Sequence, residues 1–222
     1  ADLGPLALEV LRWGVTDPSA LAWLDPPPAP HWAQALDGLR ELALIDAQGR
    51  LTALGGQVAG LGAEPRLGVL LVGGAASGAA ALAADLVALL EERDPLRGRR
   101  DEPAPADLEL RVQALQSMRA GHAPAEADAS ALQRVARAAR HWTRVAARLP
   151  GPPAERAAPS VGGLLSLAFP DRIGRRRGAS GARYLLASGR GAALPERDPL
   201  AASELIVAAD LDAGRADGRI RL

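Results

Sequence analysis

Residues 24–72 read LDPPPAPHWAQALDGLRELALIDAQGRLTALGGQVAGLGAEPRLGVLLV, and this stretch decides the fold. Its prolines can begin a helix, because the N–H that proline lacks would have no partner in the first turn anyway. From Trp32 onward, apolar residues recur at positions 32, 35, 36, 39, 42 and 43, which is the stripe of a half-buried helix. The stretch therefore begins with a helix that packs one face against a core.

A short hairpin is predicted after this helix. Residues 46–49 (DAQG) have turn chemistry and lie between two short apolar runs. Thr52 can then cap a further helix that carries apolar residues on one face. Two short helices are expected upstream, at 5–13 and 17–24, so the order of helices and hairpin over residues 1–62 is that of a winged helix.

The middle of the chain, residues 63–149, is predicted to be helical. Ser77 can cap a helix that ends at Asp94, and Leu108 to Met118 marks another. The sequence GGAASG at 73–78 resembles a phosphate-binding loop, but two alanines replace the Lys-Ser/Thr pair that such a loop needs. We therefore interpret it as a flexible turn between helices.

The helix predicted at 129–149 has two distinct faces. At about 100° per residue, one third of its circumference is apolar and another third is cationic. The apolar third consists of Leu132, Val135, Ala139, Trp142, Ala146 and Leu149. The cationic third consists of Arg134, Arg137, Arg140, His141, Arg144 and Arg148. One face is expected to pack while the other presents positive charge.

The C-terminal part changes from a helical to a β pattern. After a linker at 150–159, Ser160 can cap a short helix that ends at Pro170. Strands are expected at 183–187, 204–208 and 219–222. Between helix and strands lies a segment with four arginines and only Asp171 as a nearby acid: Arg172, Arg175, Arg176 and Arg177. Such a segment should be solvated, mobile or bound to a polyanion. The fold class predicted is α+β, mostly α.

Composition restricts the chemistry of the chain. All 26 basic residues are arginine, and there is no cysteine, so disulfides and thiolate metal sites are excluded and a cytoplasmic location is expected. The three histidines lack metal-ligand spacing, and no run of about 18 apolar residues predicts a membrane span. The net charge is zero, yet residues 129–191 hold twelve arginines against two acids. This block indicates either a polyanion partner or a solvated face that pairs with acidic neighbours.

Residues 24–72 resemble the helicase-associated region of DEAH-box helicases. The resemblance is carried by LDPPP at 24–28, ALIDAQGRLTALG at 43–55 and PRL at 65–67. Later stretches are more similar to the bacterial HrpB branch of this family: DL at 85–86, LLEERDPLRG at 89–98, FPDRI at 169–173, YLL at 184–186 and GRG at 189–191. The chain departs from the pattern at 56–57, where a basic residue is usual, and at 63–64.

The resemblance implies three modules: a winged helix (1–62), a ratchet-like helical bundle (63–149) and a linker helix with an OB-like β domain (150–222). Three or four strands do not close such a barrel. The implied partners are single-stranded nucleic acid, RNA in preference to DNA, and a RecA-like core of the same polypeptide that uses ATP and Mg²⁺. The contact residues expected are Arg137, His141, Arg144 and Arg148, and the four arginines at 172–177. The chain itself lacks ATPase motifs, so no cofactor and no activity of its own are expected.

Two other functions remain open. One is a free-standing winged-helix DNA-binding regulator. Residues 1–62 hold three arginines against seven acids, which is unfavourable for a helix that enters a major groove. The other is a structural module whose acidic surfaces dock on the RecA-like core.

Overall fold

The computed structural model describes residues 2–98, 103–122, 124–151, 159–178, 181–212 and 217–222. Within these ranges the helices are α1 (Gly4–Arg12), α2 (Ala29–Glu41), α3 (Ala53–Ala59), α4 (Pro65–Ala76), α5 (Ala80–Glu91), α6 (Leu108–Arg119), α7 (Ala129–Ala146) and α8 (Val161–Ala168). The strands are β1 (Ile173–Arg176), β2 (Arg183–Leu186), β3 (Gly191–Ala193), β4 (Leu205–Val207) and β5 (Asp217–Arg219). The α+β class is confirmed. Among the described helices, none is long and apolar enough to cross a bilayer.

The hairpin between α2 and α3 forms where the sequence predicts it. A single bridge pairs Ile45 with Leu51, and the Thr52 hydroxyl accepts a hydrogen bond from the backbone N–H of Gly55 at 2.9 Å. A Cβ at Gly55 would lie 1.9 Å from the carbonyl oxygen of Leu44. Glycine therefore lets α3 pack directly on the backbone of the hairpin, and α1 to α3 enclose a hydrophobic core with it.

The prediction of a helix at 17–24 is wrong. Only a single turn of 3-10 helix forms, at Pro18–Ala20, with the Asp17 side chain as its cap. Leu21 then takes an extended backbone conformation, and the indole N–H of Trp23 donates to the Pro18 carbonyl at 2.6 Å. That side chain occupies the acceptor which a continuing helix would have used, so the chain turns away.

Helices α4 to α8 pack around the largest hydrophobic cluster of the described residues, with α5 lying along α7. The prediction of a flexible turn at 73–78 is wrong for its first residues, because Gly73 and Gly74 lie inside α4. A Cβ at Gly74 would approach the Cβ of Ala83 to 2.3 Å, so the glycine permits close packing of α4 on α5. Ser77 does not cap α5; its hydroxyl donates back to the carbonyl of Gly73 at 2.8 Å.

Two ion pairs, each with one buried and one substantially exposed partner, fix the helical part. Arg119 binds both carboxylate oxygens of Asp85 at 2.7 Å. Arg111, which is only 1% exposed, binds both oxygens of Asp94 and also the backbone carbonyl of Asp107. Because an unpaired buried charge is costly, these pairs hold the segment after α5 in one position.

The sheet has the strand order β4-β1-β2-β3-β5, antiparallel except for the β3–β5 pair. Strand β1, which the sequence pattern did not predict, lies between β4 and β2. Its inward position is Gly174, where a Cβ would lie 2.9 Å from the Leu186 side chain. With glycine as the buried residue, β1 shows no apolar alternation. The core under the sheet includes Tyr184 and also Ala106, which comes from the segment before α6.

Candidate functional site

Helix α7 presents the cationic face that the sequence predicts. It begins at Asp128, whose carboxylate accepts hydrogen bonds from the backbone N–H groups of Ser130 and Ala131 at 2.9 and 3.0 Å. The predicted apolar face is buried, apart from Leu149, which is half-buried in the turn after the helix. The side chains of the predicted cationic face are all exposed: Arg134, Arg137, Arg140, His141, Arg144 and Arg148.

Acidic neighbours neutralise little of this face. Arg134 lies 3.7 Å from Glu92, and both side chains are substantially exposed. Among the described residues, no ion pair involves the other four arginines of the face: Arg137, Arg140, Arg144 and Arg148. The helix therefore carries a row of solvated guanidinium groups. Pairing with the acids of 63–128 within the described chain does not explain their presence.

The core beneath α7 supports the face. Trp142 is buried, and its indole N–H donates to a carboxylate oxygen of Glu91 at 2.7 Å. The His141 ring meets the Trp142 ring edge-on, with centroids 5.1 Å apart. His141 is thus held at the boundary between the packed and the cationic side.

The arginines of 172–177 fall into two groups. Arg175 and Arg177 are exposed and Arg176 is half-buried. The guanidinium of Arg175 lies 3.8 Å from Glu204, and the two side chains are 78% and 79% exposed. An exposed pair at this distance contributes little stability, so Arg175 is available to a ligand. Arg172 differs, because its guanidinium donates to the Ala209 carbonyl at 2.7 Å.

Arg172 belongs to a cluster with Arg66, Phe169 and Asp171, which we call the Phe169 cluster. Arg66 binds both oxygens of Asp171, at 2.6 and 3.2 Å, and also the Ala168 carbonyl at 2.9 Å. The guanidinium groups of Arg66 and Arg172 lie 5.4 and 5.2 Å from the centre of the Phe169 ring. Burial, and then the positive charge of Arg66, lowers the pKa of Arg172. The cluster joins α4 to the start of the sheet.

The expectation that the four arginines lack partners in the fold is therefore corrected for Arg172 and Arg175. Asp171 serves mainly Arg66, which is 105 residues away. The motifs PRL at 65–67 and FPDRI at 169–173 are far apart in the sequence, and the structure brings them together. Their joint occurrence was the available signal for the cluster.

The glycine segment at 73–78 does not form a phosphate-binding loop. The glycines of 73–78 lie largely within α4 and pack against neighbouring side chains, so their backbone cannot cradle phosphates. Among the described residues, no group of three or more His, Cys, Asp or Glu side chains could hold a metal ion. The candidate site is the surface composed of the α7 face and the arginines at 175–177.

Comparison with known proteins defines the class of this α+β chain. It is 35% identical over 232 residues to the ATP-dependent RNA helicase HrpB of Escherichia coli (strain K12), a match that covers all of this chain and 24% of the relative. A crystal structure of the E. coli DExH-box NTPase HrpB matches with a TM-score of 0.70 and 31% identity, over 100% of this chain and 24% of the other. A second structure, of the E. coli DEAH/RHA helicase HrpB, gives 0.68 and 32%, over 95% and 23%. No family model matches the chain.

The chain is therefore similar to part of a DEAH/RHA helicase. It matches HrpB-type ATP-dependent RNA helicases along its whole length, which confirms the resemblance and is consistent with their C-terminal region. It spans about a quarter of the length of the relatives that it matches.

Proposed function

We propose that the chain is an accessory region of an HrpB-type helicase that binds and guides single-stranded nucleic acid, RNA in preference to DNA. The observation that carries this proposal is the exposed face of α7, whose arginines other than Arg134 have no acidic partner among the described residues. A row of solvated arginines suits a polyanion, because each planar guanidinium can hold phosphate oxygens in pairs. RNA is proposed in preference to DNA because the similar E. coli protein is an RNA helicase.

The three modules expected from the resemblance form part of this proposal. Helices α1 to α3 with the hairpin support a winged helix at 1–62, and α4 to α7 support a ratchet-like bundle at 63–149. Helix α8 and the five-stranded mixed sheet support an OB-like domain at 150–222, while most of the linker predicted at 150–159 lies outside the described residues. A RecA-like core outside this chain would bind ATP and Mg²⁺ and perform the hydrolysis. The residues of this chain would hold the strand while that core moves.

The contacts proposed are non-specific. Arg137, Arg144 and Arg148 would bind phosphates along α7, with His141 beside them. Arg175, Arg176 and Arg177 would bind phosphates at β1. Phosphate contacts position a strand without reading its bases, so little dependence on sequence is expected. Arg172, first predicted as a contact, is engaged in the Phe169 cluster and should be tested separately from the other three.

The test is the salt dependence of single-strand binding. Arg137, Arg144 and Arg148 are replaced together by Ala, and the affinity for a labelled single-stranded RNA is measured over a range of salt concentrations. If each arginine neutralises one phosphate, the slope of log K against log salt falls by about 0.7 per contact, or about two in total. The melting temperature should hardly change, because surface substitutions cost less than about 0.5 kcal/mol each.

A matched control uses Arg40 and Arg50, two exposed arginines of the first helices and hairpin that lie outside the proposed surface. Their joint replacement by Ala should leave the slope unchanged. Parallel lines for wild type and the α7 variant would mean that α7 does not touch the strand. Unfolding of the α7 variant with normal residual binding would assign its arginines a structural role.

Two further measurements separate the alternatives. The purified chain should not hydrolyse ATP with or without RNA, and turnover that survives contamination controls would contradict this. A DNA-binding regulator would instead favour a particular duplex sequence over single strands. Selection from a random duplex pool would detect such a sequence.

A further inference from the structure

The sheet has one buried face and one face that points outward. Gly174, Tyr184, Leu186, Ala192 and Ile206 point into the core and are buried. Because successive side chains of a strand alternate between faces, their neighbours point outward. The exposed residues of this outer sheet face are Arg175, Arg177, Arg183, Leu185, Leu205 and Arg219, whereas Val207 on the same face packs against the helical core.

Strand pairing places two leucines on either side of one arginine. Arg175 pairs with Leu185 on β2 and with Leu205 on β4, so the three side chains form a row across the sheet. Neighbouring strands lie about 4.8 Å apart, which puts the outer members of this row within about 10 Å of each other. On its other side Leu185 pairs with Gly191, so that flank of the leucine has no side chain beside it.

Both leucines are exposed to solvent and do not contribute to the core under the sheet. Leu185 is 42% exposed and Leu205 is 63% exposed, while the inward residues beside them are almost fully buried. A sheet surface facing only water usually carries polar side chains at such positions. Here apolar and cationic side chains alternate along the row. Such a surface favours a ligand that has both apolar and anionic groups.

We propose that the outer sheet face contacts the bases of a single strand, with Leu185 and Leu205 as base-contact residues and Arg175 between them on the backbone. A simple polyanion would need only the arginines. A strand of nucleotides offers both anionic phosphates and flat apolar base surfaces, and this combination matches the alternation of the row. No aromatic side chain occupies this face among the described residues, so the leucines supply the apolar platform.

This inference rests on the proposed function and adds a component of affinity that phosphate contacts do not provide. Phosphate contacts weaken steeply with salt because they release counterions. Contacts between leucine and a base bury apolar area and depend little on salt. Leucine offers no hydrogen bond to a base edge, so the contribution should be similar for all four bases.

The experiment compares two ligands of equal length and charge, an oligouridine and an abasic sugar–phosphate strand. In the 222-residue chain, Leu185 and Leu205 are both replaced by Ser. Oligouridine binding should weaken by about tenfold, the size expected when two half-exposed leucines lose their apolar contact. The salt slope should stay unchanged, and binding of the abasic strand should be unaffected.

The matched control is Leu24→Ser, because Leu24 is 99% exposed in the segment before α2. It should bind both ligands like the wild type. A photo-crosslink from a thiouridine base to residues 183–187 or 205–207 of the wild type gives a second readout that does not depend on how the variant folds.

The outcomes distinguish this inference from the proposed function. If the leucine variant is folded and binds oligouridine like the wild type, or if no crosslink maps to β2 or β4, the leucines do not contact bases. Strand binding through α7 would then stand unaltered. That result would also be expected if another protein surface covers the leucines. If the wild-type chain binds neither ligand, the proposed function fails as well.

Discussion

Loss of the Arg66–Asp171 ion pair should destabilise the chain by about 2–4 kcal/mol, because removing one partner of a buried pair costs roughly 3–5 kcal/mol. The side chains are 18% and 17% exposed, so both are largely buried. A fully exposed pair, by contrast, contributes about 0–1 kcal/mol. Arg66 has further contacts with the Ala168 carbonyl and the Phe169 ring, so its replacement should cost more than that of Asp171.

A double-mutant cycle measures the pair directly. The variants are Arg66→Met, Asp171→Asn and the double variant, and urea unfolding is followed by circular dichroism. The double variant should be less destabilised than the sum of the single variants by about 1–3 kcal/mol, as expected for residues in direct contact. Arg172, whose Nε lies 3.7 Å from the carboxylate, keeps Asp171 partly neutralised and limits the loss in Arg66→Met.

The pair Arg40–Asp37 serves as the control, since its shortest distance is 2.7 Å but its side chains are 39% and 76% exposed. The same cycle there should give a coupling below about 1 kcal/mol. Equal couplings for the two pairs, or a coupling below about 0.5 kcal/mol for Arg66–Asp171, would refute the argument that burial sets the size of the effect.

Other predictions concern backbone packing and capping. Gly55→Ala should destabilise the chain by more than about 2 kcal/mol in urea unfolding, since its Cβ would overlap the Leu44 carbonyl. Gly56→Ala, one position along the same helix with no atom within 4 Å of its Cβ, should be neutral or stabilising by about 0.5–1 kcal/mol. The carboxylate of Asp128 has a pKa below its ordinary value of 3.8, chiefly through the Ser130 hydrogen bond. A depressed folded-state pKa means that this stabilisation exists at neutral pH and disappears as pH falls below about 4. Asp128→Ala should therefore lower the melting temperature near neutral pH, and calorimetry in acid should find the two proteins converging.

Local sequence signals predicted the elements that depend on local chemistry. Helix α7 follows from its apolar period, and α3 follows from Thr52 as its cap. Strand β1 could not be predicted in the same way. Its buried residue is Gly174, so the pattern that identifies a half-buried strand is missing, and its arginines resemble a loop.

Interactions between distant residues were beyond the same reasoning. The Phe169 cluster depends on residues 66 and 171, which nothing in their local patterns relates. The exposed leucines of the sheet were also unpredictable, because their significance depends on β1 lying between β2 and β4. The cationic side of α7 was predictable from periodicity alone. That only Arg134 on this side has an acidic partner among the described residues could be seen only from the positions of the neighbouring side chains.

Ala106 has a consequence for the order in which this chain can fold. It lies before α6, yet it is buried in the core under the sheet, and its N–H donates to Asp198, 92 residues later, at 2.8 Å. During synthesis the segment containing Ala106 must wait, without its partner, until the strands have emerged from the ribosome. A fragment that begins at residue 150 would lack this residue and expose the carboxylate of Asp198. The sheet should therefore mature last, using the completed helices as its template.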